Sequence, residues 1–451
     1  MSERRRVLEL FEEQKDFMEE RVNSGIERYR KGNACLTVVD EGGKPVEGAT
    51  VRFNQTKHQF RFGANIFMLD ELETEEKNRL YKERFKEIFN IATLPFYWDA
   101  LEPERGKPRY SKDSPRVYRR PAPELCVEFC RANGIEPREH ALAYDYFFPK
   151  WLYDAEVSEV KEALERRFRE IAERFADDIP TIEVTNEMEW YSHQAKTKFY
   201  DEPDFVEWCF RRAEEYFPNN QLCINERTGL CWYDRGRVTD KYYAYIEANM
   251  LKGARIDAIG MQYHMFFKMP DEYEKTRPMY NPESLYRHMD LYSRFGKPLQ
   301  VTEITIPAYT DDPEDEAIQA AVLEKLYPIW FSHPNMEQII YWNVADGYAH
   351  LFDPDPEKIK ASQGNMSLGE NYYRGGLLRF DMSPKPAYEV LRRLIREEWH
   401  TEGEVTTDSA GKASFRGFGG DYELEITANG RTVKQSVSLL SQTDNGYTVR
   451  L

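Results

Sequence analysis

Eight short apolar runs recur between residues 60 and 344: FRFGANIF (60–67), FNIATLPF (89–96), EPREHALAY (136–144), TIEVTN (181–186), LCINE (222–226), IDAIGMQYH (256–264), LQVTEI (299–304) and IIYWNV (339–344). Amphipathic segments of roughly 10 to 20 residues separate them, the rhythm of parallel strands joined by crossover helices. Eight such units favour a sheet closed on itself over an open one, and no GxGxxG follows any strand to suggest a dinucleotide fold. The expected fold class is α/β, a (β/α)8 TIM barrel over residues 60–400.

The two ends read differently. Residues 6–30 carry a helical period that Lys31-Gly32-Asn33 is expected to end, giving an N-terminal helix within residues 1–33. Two alternating strands then flank the turn Glu41-Gly42-Gly43-Lys44-Pro45, and residues 405–439 repeat that character around Ala410-Gly411, Gly419-Gly420 and Asn429-Gly430. Neither end has enough strand to bury a face alone. Residues 34–59 and 401–451 are therefore expected to form one split β-sandwich, Ig-like or prealbumin-like, interrupted by the barrel.

Asp and Glu number 79 against 62 Lys and Arg, a net charge of −17, which disfavours nucleic acid and anionic membrane as partners. The opening segment alternates charged and apolar residues where a signal peptide needs an apolar run, and no run could span a bilayer, so a cytoplasmic location is expected. Six scattered cysteines fit reduced thiols, and eight histidines show no HExxH or other metal spacing. Neither a metal nor an organic cofactor is expected. Aromatic residues make up 14% of the chain, a hint of stacking surfaces for sugar rings. The acidic stretch 310–317 (TDDPEDEA) reads as a solvated loop leading into a helix.

In a barrel of this kind the chemistry sits where strands end, so polar residues closing apolar strands are the candidates. The fourth strand closes on Asn186-Glu187, the sixth on Gln262-Tyr263-His264 and the seventh on Thr302-Glu303. Two carboxylates on opposite parts of one rim are what glycoside hydrolysis needs, one to protonate the leaving oxygen and one to attack the anomeric carbon. Salt bridging or helix capping is the commoner use of a single such glutamate.

The segments TIEVTNEMEW, LQVTEITI, IDAIGMQYH and FNIATLPFYWDALEPERG resemble the motifs of family 10 glycoside hydrolases, the endo-β-1,4-xylanase family, over about residues 60–400. The resemblance implies Glu187 as acid/base, Glu303 as nucleophile and Asn186 as partner of the reacting sugar's 2-hydroxyl. It also implies that Gln262 and His264 orient the nucleophile, that His140 binds sugar and that Trp342 stacks on it. Hydrogen bonds from His264 should keep Glu303 ionised, and burial together with the charge of Glu303 should keep Glu187 protonated.

Departures from the family pattern gather around the glycone side. The family's Glu-Asn and Lys-Trp after strand two, which hold a second sugar, become Leu94, Pro95, Phe96 and Tyr97 before Trp98. Trp-His after strand three becomes Tyr144-Asp145, a second stacking tryptophan becomes His350, and the Asp two residues beyond the nucleophile becomes Thr305. Tyr144, Asp145 and His350 are thus expected to line an altered subsite. Singly, Phe96, Tyr97, Tyr144, Tyr146, Phe147 and Phe148 read as packing beneath the rim. Three readings follow: a retaining β-glycosidase acting on xylo-oligosaccharides or related glycosides, an exo-acting or aryl-β-glycosidase, and a carbohydrate-binding barrel without catalysis. The sequence leaves the oligomeric state open.

Overall fold

A computed structural model describes residues 3–188, 195–232, 241–351 and 355–451. Fifteen strands are described: β1 (Lys31–Val39), β2 (Thr50–His58), β3 (Arg61–Asn65), β4 (Ile91–Pro95), β5 (Glu136–His140), β6 (Thr181–Asn186), β7 (Gln221–Glu226), β8 (Ala258–His264), β9 (Leu299–Thr305), β10 (Met336–Tyr341), β11 (Glu402–Thr406), β12 (Lys412–Phe418), β13 (Gly420–Ala428), β14 (Arg431–Leu439) and β15 (Asp444–Arg450). Strands β3 to β10 pair in parallel and close into an eight-stranded barrel. The chain is thus an α/β protein built on a (β/α)8 barrel. All eight apolar runs supply a barrel strand, although the last strand starts at Met336 and ends before Trp342.

The inside of this barrel is polar. Gln221 on β7 donates to Glu337 on β10 at 2.9 Å, and Arg61 on β3 bonds Glu136 on β5 at 2.9 Å. Strands so far apart in the barrel order meet only through its interior, where branched apolar side chains ordinarily stack. Apolar packing lies between sheet and helices instead, around residues such as Phe62, Ile259, Val301, Tyr327 and Trp330.

Strands from both chain ends make two further sheets, in the orders β12-β1-β15 and β11-β2-β13-β14. Alternation on β1 turns Ala34, Leu36 and Val38 inward, and Val51 and Phe53 on β2 meet them across a core shared with Tyr422, Leu424, Ile426 and Val449. Phe53 and Phe415 stack with ring centroids 3.9 Å apart. Lys31, Gly32 and Asn33 do not cap the opening helix; they begin β1. A Cβ on Gly32 would fall 2.2 Å from the Leu440 carbonyl oxygen, so glycine serves close approach of the chain there.

The opening helix Lys15–Tyr29 lies against the helix Pro313–Ser332, with Gly25 so close that a Cβ would stand 2.4 Å from the Ser332 carbonyl oxygen. The acidic stretch before that second helix is not merely solvated. Asp312 caps the helix through the Glu314 N–H, Asp315 and Glu272 bind Arg4, and Glu316 pairs with Arg379. All six cysteines are free thiols, five of them buried. Among the described residues no helix is long and apolar enough to cross a membrane.

Truncation after His400 removes every partner strand of β1 and β2 and bares their apolar face. We expect the shortened chain to aggregate or to lose at least several degrees of Tm by calorimetry; an unchanged Tm in soluble monomer would contradict a shared core.

Candidate active site

A cleft of about 430 Å³ opens at the C-terminal ends of the barrel strands. His140 closes β5, Asn186 closes β6 with Glu187 just beyond it, Gln262 and His264 close β8, Glu303 lies near the end of β9, and Trp342 follows β10. All of them line the cleft. The β8–β9 and β9–β10 ladders both shift register near their ends, and such irregularities re-aim side chains at a rim. Glu187 sits at φ +50°, a left-handed conformation costly for a residue with a Cβ and characteristic of functional sites.

One amide joins the two carboxylates. Gln262 Nε2 donates to Glu187 Oε1 at 2.9 Å and to Glu303 Oε1 at 3.1 Å, so these oxygens lie no more than about 6 Å apart, the sum of the two distances. Its third contact, at 3.2 Å, is to Asn186 Oδ1, which leaves the Asn186 NH2 as that residue's donor group. Tyr144 donates its hydroxyl to Glu187 Oε2 at 2.8 Å.

Glu303 is held from three sides. Asn225 Nδ2 lies 3.0 Å from Oε1, beside Gln262, and His264 Nε2 lies 3.1 Å from Oε2. Burial pushes the Glu303 carboxyl up to about 8, a shift that nearby His140 opposes and Glu183 and Glu187 reinforce. This runs opposite to the expectation that hydrogen bonds hold it in the ordinary carboxylate range. His264 adds no positive charge against that burial, because its own burial pulls the imidazole down to about 4. Its Nδ1 faces the Thr305 hydroxyl at 2.9 Å, so no carboxylate stands there to keep the ring charged.

Beneath the cleft runs a buried ionic column. His140 Nδ1 is 2.8 Å from Glu183 Oε1, and Arg138 Nη2 is 2.6 Å from Glu183 Oε2, with all three side chains out of water. Burial would raise the Glu183 carboxyl, but His140 and Arg138 outweigh it and hold the group below its usual range. Burial would likewise lower His140, and Glu183 raises it. His140, Glu183 and Glu303 bring ligand atoms within 4.8 Å of one another, a spacing a cation could use. Arg138 already supplies the compensating charge from inside the barrel, so the donor set fits an ion pair better than a metal.

The rim aromatics divide. Phe96 and Phe148 pack into the main core, whereas Tyr97, Tyr144 and Trp342 form a separate cluster with Phe67, to which Tyr146 and Phe147 add. Tyr97 places its hydroxyl 3.0 Å from His140 Nε2. His350 lines the cleft wall. Asp145 does not: its carboxylate turns away and accepts from the Lys196 and Thr197 N–H groups and the Thr197 hydroxyl, anchoring the loop behind the wall. The end of the fourth motif, Glu189-Trp190, lies outside the described residues. Sequence reasoning passed over Glu183, Asn225, Arg119, Arg120 and Glu370. The even spacing of Thr181, Glu183 and Thr185 on β6 was the signal available for the first, while the others sit on loops or at ordinary strand positions.

With this geometry in view, the family model for Glycosyl hydrolase family 10 matches residues 54–391. The chain belongs to glycosyl hydrolase family 10. Among its curated relatives are the anti-sigma-I factor RsgI6 of Acetivibrio thermocellus, 26% identical over 91% of this chain and 47% of that protein, and endo-1,4-beta-xylanase 2 of Arabidopsis thaliana, 23% identical over 89% and 33% respectively. The chain thus spans half or less of the length of these two relatives. Xylanase 10B from Thermotoga petrophila RKU-1, solved in complex with xylobiose, shares the fold at a TM-score of 0.58 and 21% identity, over 75% of this chain and 95% of that one.

Glu303 also sets a pH dependence of stability. Its carboxyl is neutral in both states at low pH; above the unfolded value of about 4.3 only the unfolded chain ionises it, so stability falls until the folded value near 8 is passed. Glu303→Gln lacks this penalty. Its Tm relative to the unmodified protein should rise between pH 5 and pH 8, by a degree or more; a difference that stays constant or shrinks across that range would contradict the raised carboxyl.

Proposed function

We propose that this family 10 protein is a retaining β-glycoside hydrolase acting on xylo-oligosaccharides or related β-linked glycosides through Glu303 as nucleophile and Glu187 as acid/base. The observation that carries this reading is the shared Gln262 amide, which brings carboxylate oxygens to within about 6 Å of each other. Retaining enzymes place the pair at about 5 to 5.5 Å, whereas inverting enzymes need about 6.5 to 9.5 Å to admit a water between carboxylate and sugar.

Glu303 attacks the anomeric carbon while Glu187 delivers its proton to the departing glycosidic oxygen. A water then displaces the ester to Glu303 as Glu187 takes the water's proton, which returns both groups to their starting states. Asn186, its carbonyl held by Gln262, offers its NH2 to the 2-hydroxyl of the reacting sugar, a contact that strengthens as charge develops on the ring. Trp342, 5.4 Å from the His140 ring and 5.8 Å from the His264 ring, supplies the flat wall for that sugar. The six free thiols suit a reducing compartment, which supports placing the enzyme in the cytoplasm.

The aromatic cluster around Tyr97 and Phe147 favours action on short or aryl glycosides over long unbranched xylan. It stands where a second sugar would need matched donors and acceptors, and unmatched hydroxyls are costly to bury.

Glu303→Ala should abolish turnover. Glu187→Ala should cut hydrolysis of poor leaving groups by at least a hundredfold yet spare dinitrophenyl glycosides, whose phenolate departs unaided. Azide should rescue the Glu187 variant and yield a β-glycosyl azide by nuclear magnetic resonance; an α-azide would contradict retention.

Thr305→Asp places a carboxylate beside His264 Nδ1 and should return the imidazole to its charged form, which favours ionised Glu303. The acid limb of kcat/KM should then move down by half a pH unit or more, and a limb that stays in place would show that His264 does not set the nucleophile's ionisation.

A further inference from the structure

Arg120 is 9% exposed and lines the cleft, yet its partners within the protein are few. Its Nη1 donates to the Arg119 carbonyl oxygen at 3.0 Å, and its guanidinium carbon lies 3.7 Å from the Tyr97 ring centroid. The rings of Phe67 and Phe147 stand 5.5 Å away on the same side. Among the described residues no carboxylate comes within ion-pair distance, and Asp99 and Glu370 act on it only through space. A guanidinium carries five N–H donors, so most of its hydrogen-bonding capacity has no partner within the protein.

The loop that presents it is built for the purpose. Arg109 threads beneath and donates to the carbonyls of Ala100, Pro115 and Arg120, which fixes the chain on both sides of the turn. Arg119 adopts φ +60°, a left-handed conformation costly for a long side chain. Its Nη1 reaches Asn343 Oδ1 at 2.9 Å, and its buried Nε has no partner. Arg119 is thus buried and held in place, and Arg120 is presented to the cleft beside Tyr97, the residue that bonds His140.

A guanidinium so little exposed and without a carboxylate partner is poorly compensated, because aromatic faces and one carbonyl offset only part of its lost hydration. A neutral sugar hydroxyl offers lone pairs but no charge. A carboxylate offers both, in the planar geometry that matches the guanidinium fork. We propose that Arg120 binds the carboxylate of an acidic sugar, making this cleft selective for β-glycosides that carry a uronosyl group at its glycone end. The inference rests on the glycosidase reading for the site but names a ligand chemistry beyond it.

Calorimetric titration of the full chain with methyl β-D-glucuronide, methyl β-D-glucoside and methyl β-D-xyloside tests this without turnover. The glucuronide should bind at least tenfold more tightly than the glucoside. Arg120→Gln should abolish that margin while changing glucoside affinity less than threefold, and Arg120→Lys, which keeps charge without the fork, should retain part of it. Tm and circular dichroism of both variants report whether each is folded; should the Gln variant fail to fold, the Lys variant still decides, because an undiminished margin there would overturn the fork. Glucuronide binding no tighter than glucoside, or a margin that survives in the folded Gln variant, overturns the proposal. Neutral sugars bound without the uronide leave the glycosidase reading standing, and no binding of any of the three removes both.

Discussion

Three side chains on two neighbouring strands, Arg138 and His140 on β5 and Glu183 on β6, form an ion-paired unit out of water inside the barrel. Removing Glu183 would leave the Arg138 guanidinium as an uncompensated buried charge, which costs far more than the intact unit contributes. Everything above it leans on this unit. His140 fixes the Tyr97 hydroxyl, and Asn225 Nδ2 spans from Glu183 Oε1 at 3.2 Å to Glu303 Oε1 at 3.0 Å. Thr302 holds the other end of that amide at 2.7 Å, and Gly260 leaves room for it, since a Cβ there would stand 2.6 Å from Asn225 Oδ1. The position of Glu303 is thus set from below, through Asn225, by the buried Glu183 and its partners.

A barrel filled with polar side chains forgoes the apolar layers that usually stabilise this architecture. Its stability must come from the shell, where Tyr263, Tyr327 and Trp330 pack edge to face between sheet and helix. The opening helix extends this shell through Arg30, which donates to the carbonyls of Phe331, His333 and Met336 at a helix end and the following turn. These three bonds tie the N-terminal segment to the barrel's outer layer.

The strands were legible because period and length are local properties: TIEVTN and LQVTEI could hardly be anything but buried strands. The two carboxylates were legible because they close such strands. Asp145 misled because its neighbour Tyr144 does face the cleft, and in the turn after β5 adjacent residues diverge; one donates to Glu187 while the other ties down Thr197. The raised Glu303 was out of reach, since it depends on how deeply the fold buries that carboxyl and on which charges, Glu183 and Glu187 among them, the barrel brings beside it. Arg119 and Arg120 were invisible for a similar reason. Their loop is defined by Arg109 and by acceptors hundreds of residues away, such as Asn343 and the Tyr348 carbonyl.

The division between strand and loop is also a division of labour. The two carboxylates and the side chains that bond them sit on strands β6 to β9 or just beyond a strand end, where the ladders fix them together. Groups that differ from the family pattern sit mainly on the loops after β4, β5 and β10, elements that tolerate change better than the strands they follow. Side chains anchored in the barrel strands and side chains carried on loops are therefore held by separate sets of contacts, so a loop can change what lines the cleft without moving Glu187 and Glu303.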